Sequence, residues 1–114
     1  MDTVGKILFV DDDASLRTVV SIALQRDGHE VVVATDGDDA LDKFGQDRFD
    51  LVIQDVRMPG MNGLELLERL KKIAPDMPVV VMTAFSAWDV AVDAMRLGAF
   101  DYLKKPFDND ALRV

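Results

Sequence analysis

At 114 residues and 49% hydrophobic composition, the chain has the size of one compact domain, with no room for a second. Thirteen Lys and Arg against twenty-one Asp and Glu give a formal net charge of −8, so a polyanionic backbone would repel it and direct nucleic-acid binding is not expected. With no cysteine, any metal must be held by oxygen. No apolar run approaches the ~20 residues that span a bilayer, and Met1 to Lys6 lack the pattern of a secretion signal, so a cytoplasmic place away from membranes is expected.

Ile7 to Val10 is a short apolar run rich in branched residues, the pattern of a strand covered on both faces, and it stops at Asp11-Asp12-Asp13. Leu16, Val19, Val20, Ala23 and Leu24 then recur at helical steps, and Gly28 follows where a helix end favours positive φ. Val31 to Ala34 reads as a second strand. Asp36-Gly37 opens a second helix whose inward face carries Ala40, Leu41 and Phe44, and Leu51 to Ile53 is the third strand. After Pro59-Gly60, Asn62 can cap a third helix with Leu64, Leu67, Leu70 and Ile73 on its buried stripe. Val79 to Met82 is the fourth strand. A fourth helix runs from about Ala87 to Leu97 and stops at Gly98, with Ala91, Ala94 and Met95 facing the core. Phe100 to Leu103 is the fifth strand, at an edge of the sheet, and Phe107 to Val114 begins a fifth helix.

Five strands alternating with five helices argue for a doubly wound α/β sandwich of three layers, (βα)5, around a parallel sheet. Polar residues then collect on one rim: Asp11 and Asp12 end the first strand, Asp55 the third and Thr83 the fourth, while Lys105 follows the fifth. In open α/β sheets the ligand crevice lies beyond the carboxyl ends of the strands, where the winding reverses. With strand order 2-1-3-4-5, that crevice would gather three carboxylates, a hydroxyl and an ammonium. Carboxylates that close repel one another unless a cation bridges them, and Mg²⁺, which takes a few carboxylates, waters and a phosphoryl oxygen, suits the set. Asp55 is the expected nucleophile for phosphoryl transfer, through an acyl phosphate.

Ile7-Leu8-Phe9-Val10-Asp11-Asp12-Asp13, Asp50-Leu51-Val52-Ile53-Gln54-Asp55, Arg57-Met58-Pro59-Gly60, Met82-Thr83-Ala84 and Asp101-Tyr102-Leu103-Lys104-Lys105-Pro106-Phe107 together resemble the receiver domains of bacterial two-component response regulators. The joint spacing of five motifs over nearly the whole chain carries the resemblance. The flavodoxin-like order 2-1-3-4-5 is taken in part from it. It implies that Asp55 accepts a phosphoryl group from a sensor histidine kinase or histidine phosphotransfer protein. Asp12, Asp55 and the backbone carbonyl of Arg57 would ligate Mg²⁺, with Asp11 acting through water. Thr83 and Lys105 would hold phosphoryl oxygens. Thr83 and Tyr102 would form the switch pair, and the Lys105–Pro106 peptide would be cis. Asp55 to Gly63 and Gly98 to Tyr102 further resemble receivers attached to ATPase transcription activators of the nitrogen-regulation type, which points to an output in transcription.

Plainer readings stand beside these. Asp13 caps the first helix, and His29 is a solvated turn residue far from the acids. Any one of Asp11, Asp12 or Asp55 alone would be a solvated loop acid, but three at neighbouring strand ends favour a site. Trp88 and Val92 make a second apolar stripe on the fourth helix, which either folds back on the domain or offers a surface for a partner or for a homodimer formed on phosphorylation. One alternative function is a phosphohydrolase resembling the haloacid-dehalogenase group, with Asp11 as nucleophile; another is a stand-alone phosphorelay intermediate. In a receiver the chain acts on its own phosphorylation and dephosphorylation only. The short Phe107–Val114 segment suggests a single receiver domain over residues 1–114 whose fifth helix is cut short.

Overall fold

The computed structural model describes residues 5–56, 60–84 and 88–105, and for 83–84, 88–91 and 102–105 it describes the backbone alone. Expectations for Arg57, the Lys105–Pro106 peptide and the fifth helix lie outside the described residues, as do those for the side chains of Thr83, Trp88, Tyr102 and Lys105. The strands β1 (Lys6–Val10), β2 (Glu30–Ala34), β3 (Leu51–Asp55), β4 (Val79–Ala84) and β5 (Asp101–Lys105) alternate with α1 (Ala14–Arg26), α2 (Gly37–Gln46), α3 (Gly63–Ile73) and α4 (Trp88–Arg96). Every strand pair is parallel and the order is β2-β1-β3-β4-β5. This is the flavodoxin-like sheet expected.

Alternation along each strand divides the core in two. Leu8, Val10, Val52, Val79 and Val81 face Ala40 of α2, Leu66, Leu67 and Leu70 of α3, and Ala94 of α4. Ile7, Phe9, Ile53, Val80 and Met82 face Val20 and Leu24 of α1. The sheet is therefore a middle layer, apolar on both faces, as its continuous apolar runs require. Asp13, Asp36 and Asn62 cap α1, α2 and α3, their side chains accepting the N–H groups of Leu16, Asp39 and Glu65 at 3.1, 2.8 and 2.9 Å. Gly28 and Gly98, just past the ends of α1 and α4, take φ of 91° and 101°.

Several expectations need correction. Val19, Ile73 and Met95 are exposed, at 58%, 63% and 42%. In α1 the inward arc passes through Leu16, Val20, Ala23 and Leu24, leaving Val19 outside it. In α3 the fully buried residue that the periodicity missed is Leu66, and Ile73 lies in the final turn. In α4 Ala94 is buried, with Leu97 just past the helix packed against the same cluster, so Met95 turns outward, while the side chain of Ala91 lies outside the described residues. β3 and β4 each run two residues further than their apolar stretches, to Asp55 and Ala84, because pairing continues past the hydrophobic run. β5 starts at Asp101 rather than at Phe100, whose side chain is exposed. His29 is half-buried and not simply solvated: its Nδ1 accepts the Gly5 N–H at 3.2 Å, fastening the entry to β1.

Candidate functional site

The acids on the rim are placed by strand alternation. Asp11 continues the row of Phe9 and Asp55 the row of Ile53, and both rows face α1, so the two carboxylates leave adjacent strands on the same side. Val10 stands beside Gln54 in the β1–β3 register, which brings Asp11 level with Asp55. One carboxylate oxygen from each of Asp11, Asp12 and Asp55 lies within 4.8 Å of the others. Asp11 is fully buried and Asp55 is 7% exposed, whereas Asp12 is open to solvent. Two acids thus form the floor of the site and one its mouth.

The β1–α1 turn is held from several directions. The Asp11 N–H donates to the Ala34 carbonyl at 3.1 Å, and Asp11 Oδ1 accepts the Asp13 N–H at 2.9 Å. Arg17, one turn into α1, donates from Nη1 to the Asp11 carbonyl at 2.7 Å. At the other strand end, the Val56 N–H donates to the Met82 carbonyl at 3.2 Å and its carbonyl accepts the Gly63 N–H at 2.7 Å. The start of α3 is pressed onto this backbone. A Cβ at Gly63 would lie 2.5 Å from the Val56 Cα and closer still to the Asp55 carbonyl oxygen, so only glycine fits.

The backbone register carries the rim across the sheet. Asp55 pairs with Met82, and Thr83 and Ala84 pair with Lys104 and Lys105, so the main chain at Thr83 and Lys105 reaches the same edge as the acids. Tyr102 pairs with Val81, lower on β5. Val92 is half-buried on α4.

Three carboxylate oxygens so close, two of them on buried residues, repel one another strongly as anions. An all-oxygen donor set with one side open to solvent fits a small hard divalent cation that keeps some of its water. The sequence of the chain matches, over residues 7–114, the family described as the response regulator receiver domain. The chain belongs to that family. Among its relatives, the transcriptional regulatory protein ZraR of Klebsiella oxytoca is 45% identical over 108 residues, covering 95% of this chain and 24% of the relative. The DNA-binding transcriptional regulator NtrC of Klebsiella pneumoniae is 46% identical, over 93% of this chain and 23% of its own length. The crystal structure of NtrX from Brucella abortus in complex with ADP superposes with a TM-score of 0.94 at 37% identity, covering 97% of this receiver and 26% of that chain. The receiver thus spans about a quarter of the length of the curated relatives it matches, and the nitrogen-regulation resemblance read from the sequence holds. The family match leaves the haloacid-dehalogenase-like reading without support.

Three residues of this receiver received no role from the sequence. Arg17 could have been found as a cation six residues after Asp11, within reach of its turn once the helix starts at Ala14. Gln54 is a polar residue inside an otherwise apolar strand run, and it is fully buried. Gly63 gave no warning in the sequence beyond being a glycine after a cap.

Proposed function

We propose that this receiver accepts a phosphoryl group on Asp55 from a sensor histidine kinase or a histidine phosphotransfer protein, and that phosphorylation controls a transcriptional output in the longer protein to which residues 1–114 contribute one domain. The observation that supports it most is the meeting of the Asp11, Asp12 and Asp55 carboxylates within 4.8 Å at adjacent strand ends. An Asp55 oxygen attacks phosphorus as the bond from phosphorus to the donor's nitrogen or oxygen breaks, and the leaving group departs with the electron pair. Asp12 at the mouth and Asp55 would hold Mg²⁺, with Asp11, fixed by the Asp13 N–H and through its main chain by Arg17, assisting through water. The backbone carbonyl of Arg57 is the further protein ligand proposed. When bound, the ion would supply charge neutralisation for the carboxylates and for the phosphoryl oxygens. Lys105 and Thr83, whose main chain ends at the same edge, contribute an ammonium and a hydroxyl to those oxygens, and Thr83 with Tyr102 forms the switch.

Incubation with Mg²⁺ and acetyl phosphate should add the mass of one phosphoryl group, and no adduct should form with Asp55→Asn or after chelation. A folded wild-type chain that gains no mass would overturn the proposal. The α4 surface around Trp88 and Val92 is proposed to meet a partner or a second phosphorylated copy. Trp88 fluorescence should change on phosphorylation, and a signal indifferent to both phosphorylation and concentration would count against it.

A further inference from the structure

Gln54 is fully buried, on the same strand face as Val52 and Val56, between Val10 of β1 and Val81 of β4 in the register. Nothing about packing asks for an amide there, since every neighbour named is apolar and methionine has nearly the same length and shape. Its Nε2 donates to the Gly63 carbonyl at 2.6 Å, whereas its buried Oε1 has no hydrogen-bond partner among the described residues. Turning the amide over would set oxygen against oxygen, so the donor side is fixed. A buried acceptor left unpaired costs free energy, so this residue makes the fold less stable than an apolar one of equal volume would.

What the cost maintains is the geometry beside Asp55. Gly63 is held twice, its N–H to the Val56 carbonyl at 2.7 Å and its carbonyl by the Gln54 amide at 2.6 Å. The first turn of α3 is thereby clamped to the strand end that carries Asp55. Resting on the phosphoacceptor reading above, we infer that Gln54 is a positioning residue: its buried amide, tied to the Gly63 carbonyl, sets the β3–α3 junction for Mg²⁺ binding and phosphoryl transfer at Asp55, at the expense of stability.

The test is Gln54→Met, assayed three ways beside the wild type. It should melt at or above the wild-type temperature, bind Mg²⁺ three- to tenfold more weakly by calorimetry, and take up phosphoryl groups from acetyl phosphate at least threefold more slowly at saturating Mg²⁺. A merely structural role would lower the melting temperature and leave the Mg²⁺ dissociation constant within twofold, and that result would overturn the inference. Should the variant not fold, the wild-type chain answers by reciprocity, because a tie that favours Mg²⁺ must itself be favoured by Mg²⁺ to the same extent. Exchange of the Gln54 side-chain amide hydrogens, followed by NMR, should slow at least threefold when Mg²⁺ is added, and unchanged exchange would overturn the inference. If the wild-type chain binds Mg²⁺ yet never gains a phosphoryl group, the phosphoacceptor reading fails by itself, and the Mg²⁺ and exchange measurements still decide the role of Gln54 in metal binding.

Discussion

Asp12 shows how one side chain balances folding against binding. It is the solvent-exposed member of a set whose carboxylate oxygens approach within 4.8 Å, so in metal-free buffer its charge is opposed by Asp11 and Asp55. Asp12→Asn should leave the metal-free chain at least as stable as the wild type, since it removes one of three neighbouring carboxylates, and should abolish the rise in melting temperature that Mg²⁺ gives the wild type. Thermal melts with and without Mg²⁺ check both halves, and an unchanged response to the ion would contradict this placement of the site. At Gly63 the prediction is steric. Gly63→Ala forces the start of α3 away from Val56 and should cost about 3 kcal/mol in urea unfolding. These two residues differ in legibility. The acids stand out because three charges end apolar runs, whereas the close approach at Gly63 exists only once α3 docks, which no local pattern encodes.

At the level of elements, caps and strand alternation set the rim, and both could be read in advance. Asp13, Asp36 and Asn62 cap the helices at whose starts they stand, since the short acceptor side chain before an apolar-periodic run has little else to bond. Asp13→Ala should cost about 1 kcal/mol, because it removes the side-chain oxygen that accepts the Leu16 N–H, while the backbone N–H that holds Asp11 is kept. The edges of the helical stripes were less legible. Val19, Ile73 and Met95 are apolar at plausible spacings, yet the sheet covers only an arc of each helix, and its width depends on tertiary docking. α2 also carries a pH dependence. Burial opposes ionisation of Asp39, but the Thr35 N–H at 3.0 Å and the Lys43 ammonium at 3.1 Å outweigh it and hold the carboxyl below its ordinary value. A depressed carboxyl stabilises the fold above its unfolded value of 3.8, and that contribution disappears as pH falls through the lower folded value. Asp39→Asn should therefore be less stable than wild type at neutral pH, by about 0.5 kcal/mol for such a partly exposed pair, and the difference should close in acid. Unfolding curves at neutral pH and at pH 2 would show a constant gap if this account were wrong.

Over the whole molecule, the parallel sheet does what no single motif can: it brings Asp11 and Asp12 together with Asp55, more than forty residues away in sequence, on adjacent strands. The opposite end of the sheet is tied by different chemistry. Lys6 pairs with Asp47 and Glu30, and these two hydrogen bonds raise its ammonium above the usual lysine value. Function and fastening thus occupy opposite ends of the strands, as in other open α/β folds that bind ligands at the carboxyl ends. The architecture was legible because five apolar runs separated by helical stripes admit few arrangements, and the family resemblance selected among them. Gln54 was not, because its role depends on α3 docking above it. The phosphoryl group is expected on Asp55 and on no other acid of the cluster. Borohydride reduction of the chain treated with acetyl phosphate and Mg²⁺, followed by peptide mass spectrometry, reads that directly, since an aspartyl phosphate is reduced to homoserine. Homoserine at position 55 alone is the predicted result; reduction at position 11 or 12, or none in a chain that has gained phosphoryl mass, would contradict the account.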